Sequence, residues 1–171
     1  MRIFNTASRT LEVIQPQKGN EISLYSCGPT VYDSLTVGNW TAYIRWDVLV
    51  RTLKLAGFKV NWYMNITDVG HLISDGDEGE DKLEKGAKRE GLTAWEVAEK
   101  YTNEFLRGLD DLQISVPKDH LVKATDHIPE QIELITKLEK KGITYVISDG
   151  VYYDSTKFKN YGKMAHLDIE G

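Results

Sequence analysis

The stretch between residues 21 and 67 predicts a strand, a helix and a second strand, and this order constrains the fold most. Residues Glu21–Ser26 alternate polar and apolar side chains, which is typical of a strand. Residues 41–56 predict a helix, and Gly57 is a typical end signal; the helix has an apolar side formed by Ile44, Val48, Leu49, Leu53 and Leu55. Residues 58–67 predict the second strand. Strands joined in this way run parallel with a right-handed crossover, so we expect an α/β fold.

Polar side chains lie where each of the two predicted strands ends. Cys27 follows the first strand, and Thr67 and Asp68 end the second. Ligands of parallel sheets bind beyond the carboxyl ends of the strands. The sequence therefore predicts a ligand site at this edge, where two separate segments meet.

The start of the predicted helix adds a candidate phosphate site. Gly38 would let a ligand approach the backbone closely, and a helix N-terminus offers free N–H groups and a positive dipole end to phosphate. Thr36 and Asn39 can donate hydrogen bonds nearby. The same residues are also typical of a plain turn and helix cap, so the pattern by itself leaves both interpretations open.

The rest of the chain predicts further helices and a hairpin. Residues 70–91 are rich in glycine and charge, which indicates either a loop leading into a short helix or a flap beside the site. Thr93 and Glu96 have capping-box spacing, and the helix that follows is expected to bury Trp95, Ala98, Tyr101, Phe105 and Leu109. Ile128-Pro129 begins another helix, and residues 143–154 predict a hairpin around Ser-Asp-Gly.

Composition and missing motifs exclude several classes of function. The 171 residues carry a net charge of −5, and no apolar stretch approaches the ~20 residues of a membrane helix. The chain has no Gly-x-x-x-x-Gly-Lys-Ser/Thr loop, no Gly-x-Gly-x-x-Gly after a strand and no Gly-x-Ser-x-Gly. The histidines at 71, 120, 127 and 166 lack the helical spacing of metal ligands. A single cysteine excludes an internal disulfide and fits a reducing cytosol, so we expect a cytoplasmic protein.

Several motifs together resemble the cysteinyl-tRNA synthetases, a family of class I aminoacyl-tRNA synthetases. Residues 25–33 read Tyr-Ser-Cys-Gly-Pro-Thr-Val-Tyr-Asp, Gly-Asn follows at 38–39, and residues 65–69 read Asn-Ile-Thr-Asp-Val. The resemblance continues in Gly-Glu-Asp-Lys at 79–82, Ala-Thr-Asp-His-Ile at 124–128 and the hairpin Gly-Val-Tyr-Tyr-Asp at 150–154. It ends with Tyr-Gly-Lys at 161–163, so it covers nearly the whole chain.

The resemblance implies a Rossmann-like nucleotide-binding fold, with a parallel sheet and flanking helices. Residues 1–112 would be the first half of the catalytic domain and residues 113–171 a connective segment. The second half of the catalytic domain, a Lys-Met-Ser-Lys-Ser loop and an anticodon-binding domain are expected beyond residue 171. The implied activity joins cysteine to ATP as an adenylate and then to tRNA(Cys), with Mg²⁺ accompanying ATP.

The resemblance also implies roles for individual residues. Cys27 matches a zinc ligand, with the other ligands expected beyond residue 171, and the zinc would bind the substrate thiolate. Cys27, Gly28 and Thr67 would contact the substrate cysteine. The implied ATP-binding residues are Pro29, Thr30, Thr36, Gly38 and Asn39, and Thr36 and Asn39 among them would be catalytic. Because Cys27 alone cannot complete a four-ligand shell, we expect the isolated chain to hold little zinc.

One departure from the family pattern lies at Thr36. Relatives begin the motif His-Ile-Gly-Asn or His-Ile-Gly-His with a histidine that contacts phosphate, whereas this chain has Thr-Val-Gly-Asn at 36–39. Loss of one transition-state donor commonly costs ~2.7–4 kcal/mol, so we expect slow or absent adenylation. Two alternatives stay open: a non-catalytic synthetase-like binding module, and a related ligase that joins cysteine to a small amine.

Overall fold

The computed structural model describes residues 1–70, 82–148 and 150–167. The chain divides into two compact units, one formed by residues 16–126 and one by residues 1–15 with 127–171. The predicted boundary between residues 112 and 113 separates parts of a family domain and stays a prediction.

A three-stranded parallel sheet is the centre of the 16–126 unit. Its strands β3 (Glu21–Ser26), β4 (Lys59–Ile66) and β5 (Leu121–Lys123) lie side by side in that order. β3 pairs with β4 from Glu21 opposite Lys59 to Ser26 opposite Met64. Helix α1 (Val37–Leu55) connects these two strands, which confirms the predicted strand–helix–strand unit. The third strand was not predicted, because three residues carry too little alternation to indicate a strand.

Helix α1 begins at Val37, four residues before the predicted start. Thr36 is the N-cap: its hydroxyl accepts from the Asn39 backbone N–H, and the Asn39 side chain accepts from the Thr36 backbone N–H. Apolar periodicity alone misses this first turn, because its cap is made by polar side chains. Gly57 follows the helix with φ = 90°, a conformation that favours glycine, as the predicted end signal requires.

The buried side of α1 differs from the predicted one. Leu53 is buried as expected, but Ile44, Val48 and Leu55 are exposed, and the side that faces the core carries Tyr43, Asp47 and Val50. Asp47 tolerates burial because its carboxylate accepts hydrogen bonds from Ser115 and Arg51. The apolar pattern predicted a different buried side because a charged residue, Asp47, lies on the side that faces the core.

Helices α2 (Lys82–Glu90) and α3 (Ala94–Asp111) follow β4. The Thr93 capping box is confirmed, and α3 buries Val97, Ala98, Tyr101, Phe105 and Leu109. The prediction that Trp95 is buried is wrong: it is 67% exposed, because the first turn of α3 borders open cavities instead of the packed core. Short helix α2 agrees with the loop-and-helix interpretation of residues 70–91, although residues 71–81 lie outside the described part of the chain.

One core joins α1, α3 and the sheet. Trp62 and Met64 from β4 pack with Val50 and Phe105, all nearly inaccessible to solvent. The Trp40 and Phe105 rings stack with 6.0 Å between their centroids. A Cβ atom at Gly108 would lie 2.2 Å from the Trp40 ring, so a glycine is required where the two helices approach. The core therefore holds the start of α1 against α3.

The other unit contains two hairpins and a helix. Strands β1 (Arg2–Asn5) and β2 (Thr10–Val13) pair antiparallel, and this hairpin was not predicted. Helix α4 (Ile128–Lys140) has Pro129 in its first turn, and strands β6 (Thr144–Ile147) and β7 (Gly150–Tyr153) pair antiparallel. The helix and the second hairpin confirm the sequence predictions. Asp149, in the predicted turn, lies outside the described residues.

Candidate active site

The chain between β3 and α1 continues the parallel pairing past the end of β3. The Thr67 backbone N–H donates to the Pro29 carbonyl at 2.9 Å, and the Val31 N–H donates to the Thr67 carbonyl at 3.1 Å. Thr30 and Thr67 form an isolated parallel bridge. Thr30 and Pro29, expected on the ATP side, are thus brought to Thr67, expected on the amino-acid side.

Gly28 lies against the backbone of β4. A Cβ atom at this position would be 1.7 Å from the Asn65 carbonyl oxygen and 2.8 Å from Met64 Cγ. The Gly28 N–H donates to Asn65 Oδ1 at 2.8 Å. Only glycine permits this close approach of two backbones, so the residue has a packing reason beside any contact with a ligand.

The Asn65 side chain connects three of the residues around the strand ends. Its Oδ1 accepts from the Tyr25 hydroxyl at 2.9 Å as well as from Gly28, and its Nδ2 donates to Thr67 Oγ1 at 2.9 Å. The Thr67 hydroxyl therefore accepts a hydrogen bond from Asn65 through one of its lone pairs, and this bond orients the hydroxyl group. Sequence reasoning assigned no role to Asn65; an asparagine inside a strand of bulky residues was the available signal.

Cys27 is exposed at the end of β3 and lies close to two tyrosines. Burial, followed by the nearby Cys27, raises the pKa of Tyr43 to about 12, and the same two causes raise the pKa of the more exposed Tyr25. Both phenols are therefore neutral at pH 7, and the Tyr25 hydroxyl donates its proton to Asn65 Oδ1.

Zinc needs more ligands than Cys27. In the described ranges, no group of three or more His, Cys, Asp or Glu side chains could hold a metal ion. The residues present therefore do not fit a zinc site by themselves, and we assign no step to the metal. The role of Cys27 as one ligand stays a prediction.

The start of α1 is open to solvent, and its cap occupies the two polar residues expected to meet ATP. Thr36 Oγ1 donates to Asn39 Oδ1 at 2.7 Å, and the Thr36 N–H donates to the same oxygen at 2.9 Å. At Gly38, the nearest atom to an added Cβ would be Thr36 Oγ1 at 3.5 Å, an ordinary contact. Val37 is 82% exposed. The first turn can therefore be approached from outside.

The predicted site residues form two groups in the structure. Gly28, Pro29 and Thr30 meet Thr67 at the strand ends, and Thr36 meets Asn39 through the cap with Gly38 between them. Among the described contacts, no hydrogen bond joins the two groups. They are connected through residues 31–35.

Asp68 holds the end of β4 to the segment after β5. Its side chain, in a residue that is 8% exposed, accepts from the Thr125 N–H at 3.0 Å and from the Thr125 hydroxyl at 2.6 Å. The motifs at 65–69 and 124–128 thus meet in space. Asp68 has a structural role at the site edge, where sequence reasoning noted only its polarity.

No helix of the described residues has the length and apolarity that crossing a bilayer would need.

Comparisons with known proteins agree with the motifs. A family model described as "tRNA synthetases class I (C) catalytic domain" matches residues 13–171. The chain is 43% identical to "Cysteine–tRNA ligase 1" of Burkholderia lata over all of its residues, which cover 36% of that relative. It is 41% identical to the cysteine–tRNA ligase of Borrelia garinii subsp. bavariensis and 42% identical to that of Treponema denticola, over 99% of the chain and 35% and 34% of those relatives.

The chain spans about a third of the length of these curated relatives. The family-model match covers the described parallel sheet, its helices and the motif segments alike. The predicted resemblance and the predicted Rossmann-like fold class are both confirmed. The chain belongs to the class I tRNA synthetase family whose catalytic-domain model it matches, the family of the cysteine–tRNA ligases.

Proposed function

We propose that this chain forms the ATP- and cysteine-binding part of a cysteine–tRNA ligase. In the proposed reaction, a carboxylate oxygen of cysteine attacks the α-phosphorus of ATP and pyrophosphate leaves; the cysteinyl group then passes from the adenylate to a terminal hydroxyl of tRNA(Cys), and AMP leaves. The names of the relatives support this activity. The binding module and the small-amine ligase have no support among the relatives named above.

The observation that carries the proposal is the open start of α1 beside the sheet. Its first turn contains no acidic residue, and Gly38 leaves the backbone free of a side chain. The first N–H groups of a helix and its positive dipole end attract phosphate. We therefore place the ATP phosphates at residues 36–39.

The amino-acid side of the proposed site is the strand end. Cys27, Gly28 and Thr67 would contact the substrate cysteine, and Pro29 and Thr30 would lie between the cysteine and ATP. The hydrogen bond from Asn65 orients the Thr67 hydroxyl, which can still donate to a substrate carboxylate. Such prior orientation lowers the cost of bringing two reactants together.

Cysteine-dependent ATP–pyrophosphate exchange by the full-length protein tests the first step. The expected result is exchange that requires cysteine, slow in the native protein and faster in Thr36→His, together with charging of tRNA(Cys). An absence of exchange under saturating ATP, Mg²⁺, cysteine and zinc, in both the native protein and Thr36→His and with the fold of each verified by circular dichroism, would overturn the proposal.

The Thr36→His variant tests the role of the departure from the family pattern. Histidine restores a cationic donor toward phosphate, so we expect exchange to rise by up to ~10²–10³-fold over the native protein. The matched control is Thr36→Ser, which keeps the capping hydroxyl and is expected to leave the rate within about threefold. Equal and normal rates in the native protein and Thr36→His would contradict this role.

A further inference from the structure

Arg89, near the end of α2, contacts two consecutive residues of the loop between the strand end and α1. Its Nη1 donates to Asp33 Oδ2 at 2.7 Å, and its Nη2 donates to the Tyr32 carbonyl at 3.2 Å. The other carboxylate oxygen of Asp33 accepts from the Ser34 N–H at 2.8 Å. One guanidinium group therefore fixes both a backbone carbonyl and a side chain in the middle of this loop.

The same guanidinium also contacts residues of α2 and α3 outside the loop. Arg89 Nη2 lies 2.9 Å from Glu90 Oε1 and 3.2 Å from the Tyr101 hydroxyl. Glu90 also accepts from Lys100 and from Tyr101, and its side chain is 15% exposed. Arg89 thus joins the loop to a cluster formed by Glu90 of α2 with Lys100 and Tyr101 of α3.

Backbone packing reinforces the contact between α2 and the loop. A Cβ atom at Gly86 would lie 2.8 Å from the Tyr32 carbonyl oxygen and 3.2 Å from Val97 Cγ1. The Tyr32 carbonyl therefore lies directly against one turn of α2, where Arg89 also reaches it. The loop position is determined by α2 from one side.

The position of this loop determines where α1 begins relative to the strand ends. At one end of the loop, Val31 is 1% exposed and donates its N–H to the Thr67 carbonyl. At the other end, Thr36 caps α1. Tyr32 and Asp33 are the residues between these points that α2 holds.

We propose that Arg89 is a positioning residue that keeps the start of α1 at a fixed place relative to the strand ends and thereby sets the affinity for ATP. Arg89 acts through Tyr32 and Asp33 and does not contact ATP itself. The inference rests on the proposed function, because it assigns a consequence to the placement of the proposed phosphate site.

Three variants of the full-length protein separate positioning from general stability. Arg89→Met removes all the contacts with the loop, and Arg89→Lys keeps the charge without the planar fork. Lys100→Met is the matched control, because it removes a cation from the same cluster that does not touch the loop. Displacement of a binding group by ~1 Å can cost up to 10²-fold, so we expect Arg89→Met to raise the KM for ATP at least ~10-fold.

The kinetic readout is ATP–pyrophosphate exchange at varied ATP and varied cysteine. We expect the KM for cysteine to change less than about twofold in Arg89→Met, Arg89→Lys to lie between native and Arg89→Met, and Lys100→Met to match the native KM values. A role in stability alone would lower the melting temperature of each variant and leave both KM values unchanged. That result would overturn the proposal.

Hydrogen–deuterium exchange of the amides of residues 31–36 gives a readout that does not need activity. We expect exchange at least ~10-fold faster in Arg89→Met than in Lys100→Met, with the amides of β4 equally protected in both. If neither the native protein nor Thr36→His forms adenylate, the proposed function fails and this comparison alone decides the positioning role. Equal loop exchange in the two variants would refute it.

Discussion

Two glycines of the candidate site make a matched pair, because the structure predicts opposite effects for the same added methyl group. Gly28 lies where a Cβ atom would be 1.7 Å from the Asn65 carbonyl oxygen. Gly38 lies in the first turn of α1, where the nearest atom to a Cβ would be 3.5 Å away. We predict that Gly28→Ala strongly destabilises the chain and that Gly38→Ala does not.

The expected cost of Gly28→Ala follows from the contacts that must change. The backbone has to separate by roughly 1.7 Å before the contact with Asn65 becomes ordinary, and this strains the hydrogen bonds that Gly28, Val31 and Thr67 make across the gap. Each such hydrogen bond contributes ~0.5–1.5 kcal/mol, and forced overpacking costs about 1–3 kcal/mol. We expect a loss of about 3–5 kcal/mol, which is a large fraction of the ~5–15 kcal/mol that stabilises a typical domain.

Gly38→Ala is expected to have a small favourable effect on stability. Alanine is better than glycine inside a helix by ~0.8–1 kcal/mol, and the partial value for a first turn is about 0.5 kcal/mol. Its methyl group would lie among the amides to which we assign the phosphates, so the variant separates folding from ligand binding. We expect normal stability together with at least ~10-fold weaker ATP binding.

Urea denaturation followed by tryptophan fluorescence checks both variants, since Trp62 and Trp40 lie in or against the core of the same unit. The midpoint should fall strongly for Gly28→Ala and should hold or rise for Gly38→Ala, with similar slopes. If the two variants unfold within about 0.5 kcal/mol of each other, the close approach at Gly28 does not exist in solution and the reasoning fails.

Three further predictions concern the surroundings of the site. Thr36→Ala removes the capping hydroxyl and should cost ~1 kcal/mol, seen as a melting temperature lower by about 2–4 °C, whereas Thr36→Ser should lose less than half of this. Asp68→Ala leaves the Thr125 N–H without its acceptor and should cost ~1–3 kcal/mol in urea, more than Thr125→Val, which removes only a hydroxyl. Hydrogen bonds from Lys100, Tyr101 and Arg89 lower the pKa of Glu90 from 4.5 to about 2. Because the unfolded chain then binds this proton more readily, the stability from Glu90 is present above pH 4.5 and is lost as the pH falls toward 2. Glu90→Gln should therefore reduce the dependence of the unfolding free energy on pH in that range. An unchanged pH dependence in this variant would contradict the lowered pKa of Glu90.

The elements whose sequence pattern extends over many residues could be predicted from the sequence. The strand at 21–26 and the long helices at 37–55 and 94–111 carry periodicity or capping signals over several turns or alternations. The hairpin of β1 and β2 and the three-residue β5 carry neither over enough length. β5 in addition exists only because β4 offers it a backbone edge, which is a tertiary cause.

Burial at particular positions was less predictable, because it also depends on tertiary contacts. Trp95 continues the apolar spacing of α3, but the sequence does not indicate where the core ends along a helix. Asp47 lies on the buried side of α1 because its acceptors find donors on a segment 68 residues away. Hydrophobic periodicity is a local signal, so it cannot predict a hydrogen-bond partner at that distance along the chain.

The candidate site also has residues whose position the sequence predicted and residues whose role depends on tertiary contacts. Cys27 and Thr67 could be placed from topology, because parallel strand ends meet at one edge of a sheet. Asn65 contacts the strand end and Arg89 contacts the loop that follows it, each through residues 37 to 57 positions away. Their roles depend on the folded geometry, and a motif alone does not specify them.

Thr36, where the family resemblance predicts a histidine, has a structural role as the N-cap of α1. Threonine is a favoured N-cap residue, and here its hydroxyl accepts from the Asn39 N–H and donates to the Asn39 side chain, which in turn accepts from the Thr36 N–H. A hydroxyl committed to this cap contributes to the stability of α1 and has its proton directed to Asn39, away from any phosphate. Histidine at the same position would give up the capping hydroxyl and gain a donor that can carry positive charge toward the phosphates. We therefore expect Thr36→His to lower the stability of α1 and to raise the rate of adenylation, and the native chain to have the residue that favours stability.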